Sequence, residues 1–169
     1  SESDSLTNSF GQGVSVTPLQ MLTAVNAIAN DGLMMQPRII HQIIDGDNIT
    51  TATTSVLGSP ISAETANIVT NLMVATVRDG FDGGAQLPGY TVAGKTGTAE
   101  IPDVLGYRSD AWIMSFVGFL PADDPQFSIL IKLDEPTSDN WASQVAAPVF
   151  RRLAERLVIL LEIPPDNVR

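Results

Sequence analysis

The chain has 169 residues, 44% of them apolar and 17% charged, with a mean hydropathy of +0.15; that is one domain's worth of chain, able to bury a sizeable core and far from the profile of disorder. Its 19 acidic residues against 9 basic ones give a formal charge of −10, and without any cluster of Lys or Arg this excludes binding by phosphate neutralisation, so no nucleic-acid partner is expected. The absence of cysteine removes disulfides, thiol catalysis and thiolate metal sites together, and the single histidine, His41, cannot build a multi-histidine zinc site.

At the start, Ser1 to Phe10 has neither the basic opening nor the apolar stretch of a signal peptide, and no apolar run approaches the ~20 residues that span a bilayer. Any export signal or anchor is expected outside this chain. Thr17-Pro18-Leu19-Gln20 reads as a helix start, with Thr as N-cap, Pro at the first helical position and Gln closing a capping box. Leu22, Val25, Ile28 and Ala29 follow at helical spacing and Asp31-Gly32 supplies a left-handed stop, which predicts a helix over residues 18–30. The isoleucine-rich Arg38 to Ile44 reads as a strand with His41 inside it as an ordinary satisfied histidine, and Asp45 to Ser59 as a surface hairpin or loop.

A second helix is predicted after Ser62, its core face carrying Ala66, Val69, Leu72, Met73 and Thr76 and its end at Asp79-Gly80. Beyond the glycine-rich turn from Gly80 to Gly89, Tyr90 to Ala99 reads as extended, and Ala111 to Leu120 and Gln126 to Leu133 alternate at period two. The break Pro121-Ala122-Asp123-Asp124-Pro125 is short enough to join the last two as an antiparallel hairpin. Val145, Val149, Phe150, Leu153, Leu157 and Leu160 then mark the apolar face of a long final helix, with Arg151 and Glu155 paired four apart and Pro148 in its first turn or at a kink. The order of elements predicts an α+β fold, an antiparallel sheet covered by helices.

One stretch of the extended segment breaks the apolar pattern. Lys95-Thr96-Gly97-Thr98 offers a cation, two hydroxyls and a glycine. A glycine in a strand often marks close approach of another backbone, and an exposed backbone N–H can stabilise a developing oxyanion. The alternative is a solvated edge strand with a chance K-T-G.

K-T-G stands beside S-x-x-K and S-D-N in the signature of penicillin-binding proteins and class A β-lactamases. Lys95 and Lys132 are the two lysines, and Val92 and Ile129 precede them by three, so this chain holds no S-x-x-K. Ser138-Asp139-Asn140 spells S-D-N but follows K-T-G instead of preceding it, and reads as a loop and helix N-cap.

The match extends well past K-T-G. Ser9-Phe10-Gly11-Gln12-Gly13 with Val16-Thr17-Pro18-Leu19-Gln20, then Ala27 to Gly32, Gly89 to Glu100, Val117-Gly118-Phe119, Ala146-Ala147-Pro148-Val149-Phe150 and Ile163-Pro164-Pro165 together resemble the transpeptidase domain of class B penicillin-binding proteins over nearly the whole chain. The resemblance implies a serine D,D-transpeptidase that cross-links peptidoglycan, attacking the D-Ala-D-Ala end of one stem peptide and passing the acyl group to an amine of another. It implies acylation of the same serine by β-lactams, no cofactor and no metal. Lys95 would polarise the site and help proton transfer, Thr96 and Thr98 would hold the terminal carboxylate, and the Thr98 N–H would form half of the oxyanion hole, with Gly97 part of the substrate-binding strand.

Because S-x-x-K is missing, residues 1–169 are expected to be the C-terminal portion of a single transpeptidase domain, an incomplete copy of that fold carrying the substrate-binding wall without the nucleophile. The parent would sit on the extracytoplasmic face of the bacterial membrane, anchored by a segment outside this chain, with divisome or elongation-complex proteins as partners. Two other readings remain at this stage: a β-lactamase or β-lactam sensor domain that shares K-T-G, and a non-catalytic interaction domain of a division complex.

Overall fold

The computed structural model describes residues 14–80, 83–104, 106–137 and 141–169, apart from the side chains of Pro102 and Ser109. The Ser9 to Gly13 block and Ser138-Asp139-Asn140 lie outside the described residues.

Helix α1 (Pro18–Ala29) begins as its sequence demands. The Thr17 hydroxyl accepts from the Gln20 N–H at 3.2 Å while the Gln20 side chain accepts from the Thr17 N–H at 2.9 Å, closing the capping box. At the other end Asp31 and Gly32 adopt φ of +50° and +85°, and the Gly32 N–H returns to the Ala27 carbonyl at 2.7 Å. A Cβ on Gly32 would stand 2.2 Å from the Ile61 carbonyl oxygen, so the stop is also a close approach.

Two small ladders follow. β1 (Met34–Met35) pairs with β4 (Val56–Gly58), and β2 (Gln42–Asp45) with β3 (Asn48–Thr51) as a hairpin. The expected strand from Arg38 shrinks to its second half, because the Gly46-Asp47 turn sets a register in which Gln42 meets Thr51, the last residue of β3. His41 is therefore exposed just outside β2, and its carbonyl accepts from the Ala52 N–H at 2.9 Å. Ile39, Ile43 and Ile44 are exposed too, not part of the core.

Helix α2 (Ala63–Asp79) is capped by the Ser62 hydroxyl, which accepts from the Thr65 N–H at 3.1 Å, and ends at Gly80. Its buried residues are Ala66, Met73 and Val77. Leu72, expected in the core, is 62% exposed, because α2 offers a narrow stripe to a small-residue strand and position 72 lies about 100° around the axis from Met73.

The sheet has the order β5-β6-β7, antiparallel throughout: β5 (Ala93–Asp103), β6 (Gly106–Leu120) and β7 (Phe127–Asp134). Strand alternation sorts it into two faces. Ala93, Val117 and Phe119 meet Val25 and Met73 of α1 and α2, while Met114, Phe116, Leu120 and Ile129 meet helix α3 (Ala142–Leu160). At the centre of the second face Gly94 lies opposite Gly118, and the Phe116 ring leans over both. That ring packs on Phe150 with centroids 4.7 Å apart and planes tilted by 57°.

The last helix turns a different face inward from the one its leucines suggest. Ala142, Ala146, Ala147, Phe150, Ala154 and Val158 are buried, whereas Val149, Leu153 and Leu160 face out, Leu160 being 76% exposed. Alanines let the helix axis approach a sheet whose own side chains, Met114 and Phe116, supply the volume. Pro148 stands in the interior of α3, beyond its first turn, packed near Gly84. The helix N-cap is Trp141, without a side-chain cap bond. The Arg151–Glu155 pair forms at 2.9 Å.

β5 starts three residues later than Tyr90 because the preceding segment is held by the C-terminal tail. The Tyr90 hydroxyl donates to the Ile163 carbonyl at 2.7 Å, the Thr91 N–H donates to Asp166 at 2.6 Å, and Arg169 binds both Asp166 and Asp123.

Two outcomes are expected. Gly94→Ala would place a Cβ 2.4 Å from Phe116 Cζ, against a fully buried ring backed by Phe150, so it should destabilise the fold by about 1–3 kcal/mol in urea unfolding. Arg169 holds the Asp123 carboxyl below its ordinary value of 3.8, so the stability contributed by that pair is present above 3.8 and is lost as pH falls through the depressed value in the fold. Melting curves taken from pH 6 down to about 2 should accordingly fall less steeply in Arg169→Ala than in the unchanged protein.

Candidate active site

β5 is an outer strand among the described residues, and its edge carries the predicted site. In an antiparallel ladder the N–H and C=O of one residue point to the same side, and successive residues alternate. The Gly94 carbonyl accepts from the Thr76 hydroxyl of α2 at 2.8 Å and the Thr96 carbonyl from the Lys95 ammonium at 3.2 Å. Both carbonyls therefore face away from β6. With the register unbroken from Ala93 to Glu100, the backbone groups of Thr96 and Thr98 face away from β6, and Lys95, Gly97 and Ala99 bond across to Val117, Ser115 and Ile113.

Side chains alternate the other way. Thr96 and Thr98 stand on the α3 side of the sheet, and Lys95 on the α1 and α2 side. The Lys95 stem then arches over the edge, so that Nζ lies 3.2 Å from the Thr96 carbonyl and 3.1 Å from its hydroxyl. A cation, two hydroxyls and outward backbone N–H groups thus converge on one exposed ledge, a set suited to an anion or a polarised carbonyl.

Gly97 has a local reason that its sequence position did not reveal. A Cβ there would stand 2.6 Å from Ser115 Oγ, the hydroxyl directly across the ladder, which itself donates to the Gly97 carbonyl at 3.5 Å. Thr76, read as part of an apolar stripe, instead ties α2 to β5 through its hydroxyl. A lone threonine in a helix gives no signal of this, because the partner is 18 residues away.

Two clefts occur elsewhere. One of about 270 Å³ is lined by Asn26, Asn30, Gln126 and Ser128, and one of about 400 Å³ by Arg78, Gln86, Tyr90 and Arg151; neither includes Lys95, Thr96 or Thr98. Elsewhere on the surface Arg78 holds Asp79 below the usual carboxylate range and Arg108 does the same to Asp110, in each case chiefly by hydrogen bonding. Among the described residues no group of three or more His, Asp or Glu is placed to hold a metal ion, and no helix is long and apolar enough to cross a membrane.

The domain is thus a three-stranded antiparallel sheet flanked by helices, with K-T-G on its outer strand among the described residues. The profile of the penicillin binding protein transpeptidase domain matches residues 1–155, and the chain belongs to that family, in its class B branch. It is 37% identical to stage V sporulation protein D of Bacillus subtilis over 166 residues and 39% identical to penicillin-binding protein PbpB of Mycobacterium tuberculosis over 171, alignments that cover 94% and 93% of this chain. The chain spans about a quarter of the length of these relatives, 25% in each case. Among solved structures, penicillin binding protein 3 of M. tuberculosis complexed with ampicillin superposes with a TM-score of 0.82 at 34% identity, covering 92% of this chain and 37% of that one. The transpeptidase domain of penicillin-binding protein 3 from Burkholderia pseudomallei gives 0.82 at 32%, covering 98% and 49%.

Thr76→Val should leave the Gly94 carbonyl without its side-chain donor and cost about 1 kcal/mol. Faster amide exchange in β5 than in β7, measured on the variant, is the expected signature of a loosened outer strand.

Proposed function

We propose that the longer protein is a serine D,D-transpeptidase and that this chain is the C-terminal portion of its transpeptidase domain. The reading rests on the outward-facing edge at Thr96 and Thr98 with the Lys95 ammonium beside it. It is supported by relatives named peptidoglycan D,D-transpeptidase and by a similar structure complexed with ampicillin.

On this reading the D-Ala-D-Ala end of a stem peptide lies along β5 as an added strand, taking main-chain hydrogen bonds from the edge. The Thr96 and Thr98 hydroxyls hold its terminal carboxylate, and Lys95 lowers the cost of bringing that anion and the reacting carbonyl to the edge. A serine hydroxyl from outside this chain attacks the carbonyl carbon of the penultimate D-Ala. The charge that collects on the carbonyl oxygen is met by the Thr98 N–H, which already points outward and needs no reorganisation. The C–N bond to the terminal D-Ala breaks, its nitrogen takes up the proton lost by the serine, and an ester remains for the amine of a second stem peptide. A β-lactam ring amide opens by the same attack. The site needs no cofactor, and an anchoring segment outside this chain would hold the protein at the outer face of the membrane beside its division or elongation partners.

The test is the second-order rate of acylation by a fluorescent penicillin in the longer protein, measured beside the melting temperature. Loss of one contact to developing charge costs about 3 kcal/mol of barrier, a factor on the order of a hundred or more. Lys95 and Thr98 are both exposed, so stability should change by only about 0.5 kcal/mol. Lys95→Ala should show the larger rate loss and Thr98→Val, which keeps its N–H, the smaller. The present chain alone, lacking S-x-x-K, should show no penicilloyl mass shift. Near-normal acylation in Lys95→Ala, or a loss that merely follows unfolding, would overturn the assignment.

A further inference from the structure

The hairpin that continues the K-T-G strand outruns the sheet. β7 stops at Asp134, opposite Ile113, while β5 and β6 go on pairing with one another as far as Asp103 and Gly106. Among the described residues, 100–104 and 106–112 thus form a two-stranded arm without a third strand, and such ribbons hold their own shape poorly in water. The ladder is irregular between Glu100 and Pro102, only two residues past Thr98, so backbone pairing alone does not fix the angle at which the arm leaves the edge.

A side-chain tether supplies that angle. Arg108, on the β6 limb of the arm, forks onto Glu135 with Nη1 to Oε1 at 3.0 Å and Nη2 to Oε2 at 3.4 Å, and it also reaches Asp110 from Nε at 3.2 Å. Glu135 is the first residue after β7 and holds φ at +49°, a left-handed conformation that a residue with a Cβ adopts at a cost. Its N–H donates to the Trp112 carbonyl at 3.0 Å, which folds the end of β7 back onto β6 and turns the carboxylate toward the arm. A residue at positive φ and a bidentate fork meet where the end of β7 abuts the arm.

Building on the transpeptidase reading, we propose that the Arg108–Glu135 pair is a positioning device for the reaction: it sets the lie of the β5–β6 arm and thereby of the outward edge at Thr96 and Thr98. Neither residue touches the reacting atoms. The pair is half exposed and contributes little to stability. Its effect is geometric, and misplacement of a contact by ~1 Å can cost as much as a hundredfold in rate.

The experiment uses the longer protein that carries the nucleophile. Arg108→Met keeps the length of the stem and removes the fork, and Glu135→Asn removes the carboxylate while tolerating the left-handed backbone. Acylation by a fluorescent penicillin is separated into binding and bond-forming steps, with the melting temperature read alongside. Each single variant should slow the bond-forming step about tenfold. The double variant should be no slower than either single one, since both remove the same pair, and Arg108→Lys should recover part of the loss. Unchanged acylation in these variants beside an inactive Lys95→Ala would overturn the tether and leave the transpeptidase reading standing. Unchanged acylation in all of them, Lys95→Ala included, would overturn both. Multiplying losses in the double variant, or losses that follow the melting temperature, would reduce the pair to an ordinary surface contact.

Discussion

Everything at the candidate site depends on where one phenylalanine ring can lie. Phe116 is fully buried because Gly94 and Gly118, opposite one another in the ladder, leave a hollow in the sheet that any Cβ would fill. Phe150 of α3 presses on the ring from above. This contact locks β5 to β6 and both to the last helix, so β5 keeps its register although among the described strands it pairs with β6 alone. A strand that bonds on both sides has no edge left for a ligand, and a strand held only by its ladder would fray. The tilted ring pair keeps β5 firmly placed with a single described strand beside it.

The remaining contacts around β5 fix its two ends. Thr76 ties the Gly94 carbonyl to α2, and the tail from Ile163 to Arg169 clasps Tyr90 and Thr91 just before the strand begins. Beyond Thr98 the Arg108–Glu135 fork holds the arm. These are polar contacts at or near the surface, individually modest in energy, and their value lies in direction more than in strength. An acidic chain of net charge −10 spends three of its arginines, Arg78, Arg108 and Arg169, on carboxylates at element ends. The Lys95 ammonium donates to the carbonyl and the hydroxyl of Thr96 on its own strand, which keeps it over the edge.

Much of this was readable from residue order. The Thr17 and Gln20 capping box, the Asp31-Gly32 stop, the Ser62 cap and the Pro121 to Pro125 hairpin all depend on neighbours within a few positions, and all form as expected. So does the antiparallel order of the three long strands, because short connections leave few alternatives. K-T-G could be located on an extended, partly polar segment for the same reason.

What residue order could not reveal was which side of each element meets which neighbour. Leu72, Leu153 and Leu160 have the right character for a core and lie outside it, while Ala146, Ala147 and Ala154 are buried, since burial depends on how closely two axes approach and not on a side chain's own hydropathy. The outward turn of Thr96 and Thr98, the arch of Lys95 and the Ser115 hydroxyl against Gly97 likewise follow from the pairing register. Local chemistry, capping, turns and alternation act over a few residues and are written along the chain; faces, edges and tethers join residues 18 to 75 positions apart and exist only once the strands have paired and the helices have closed over them.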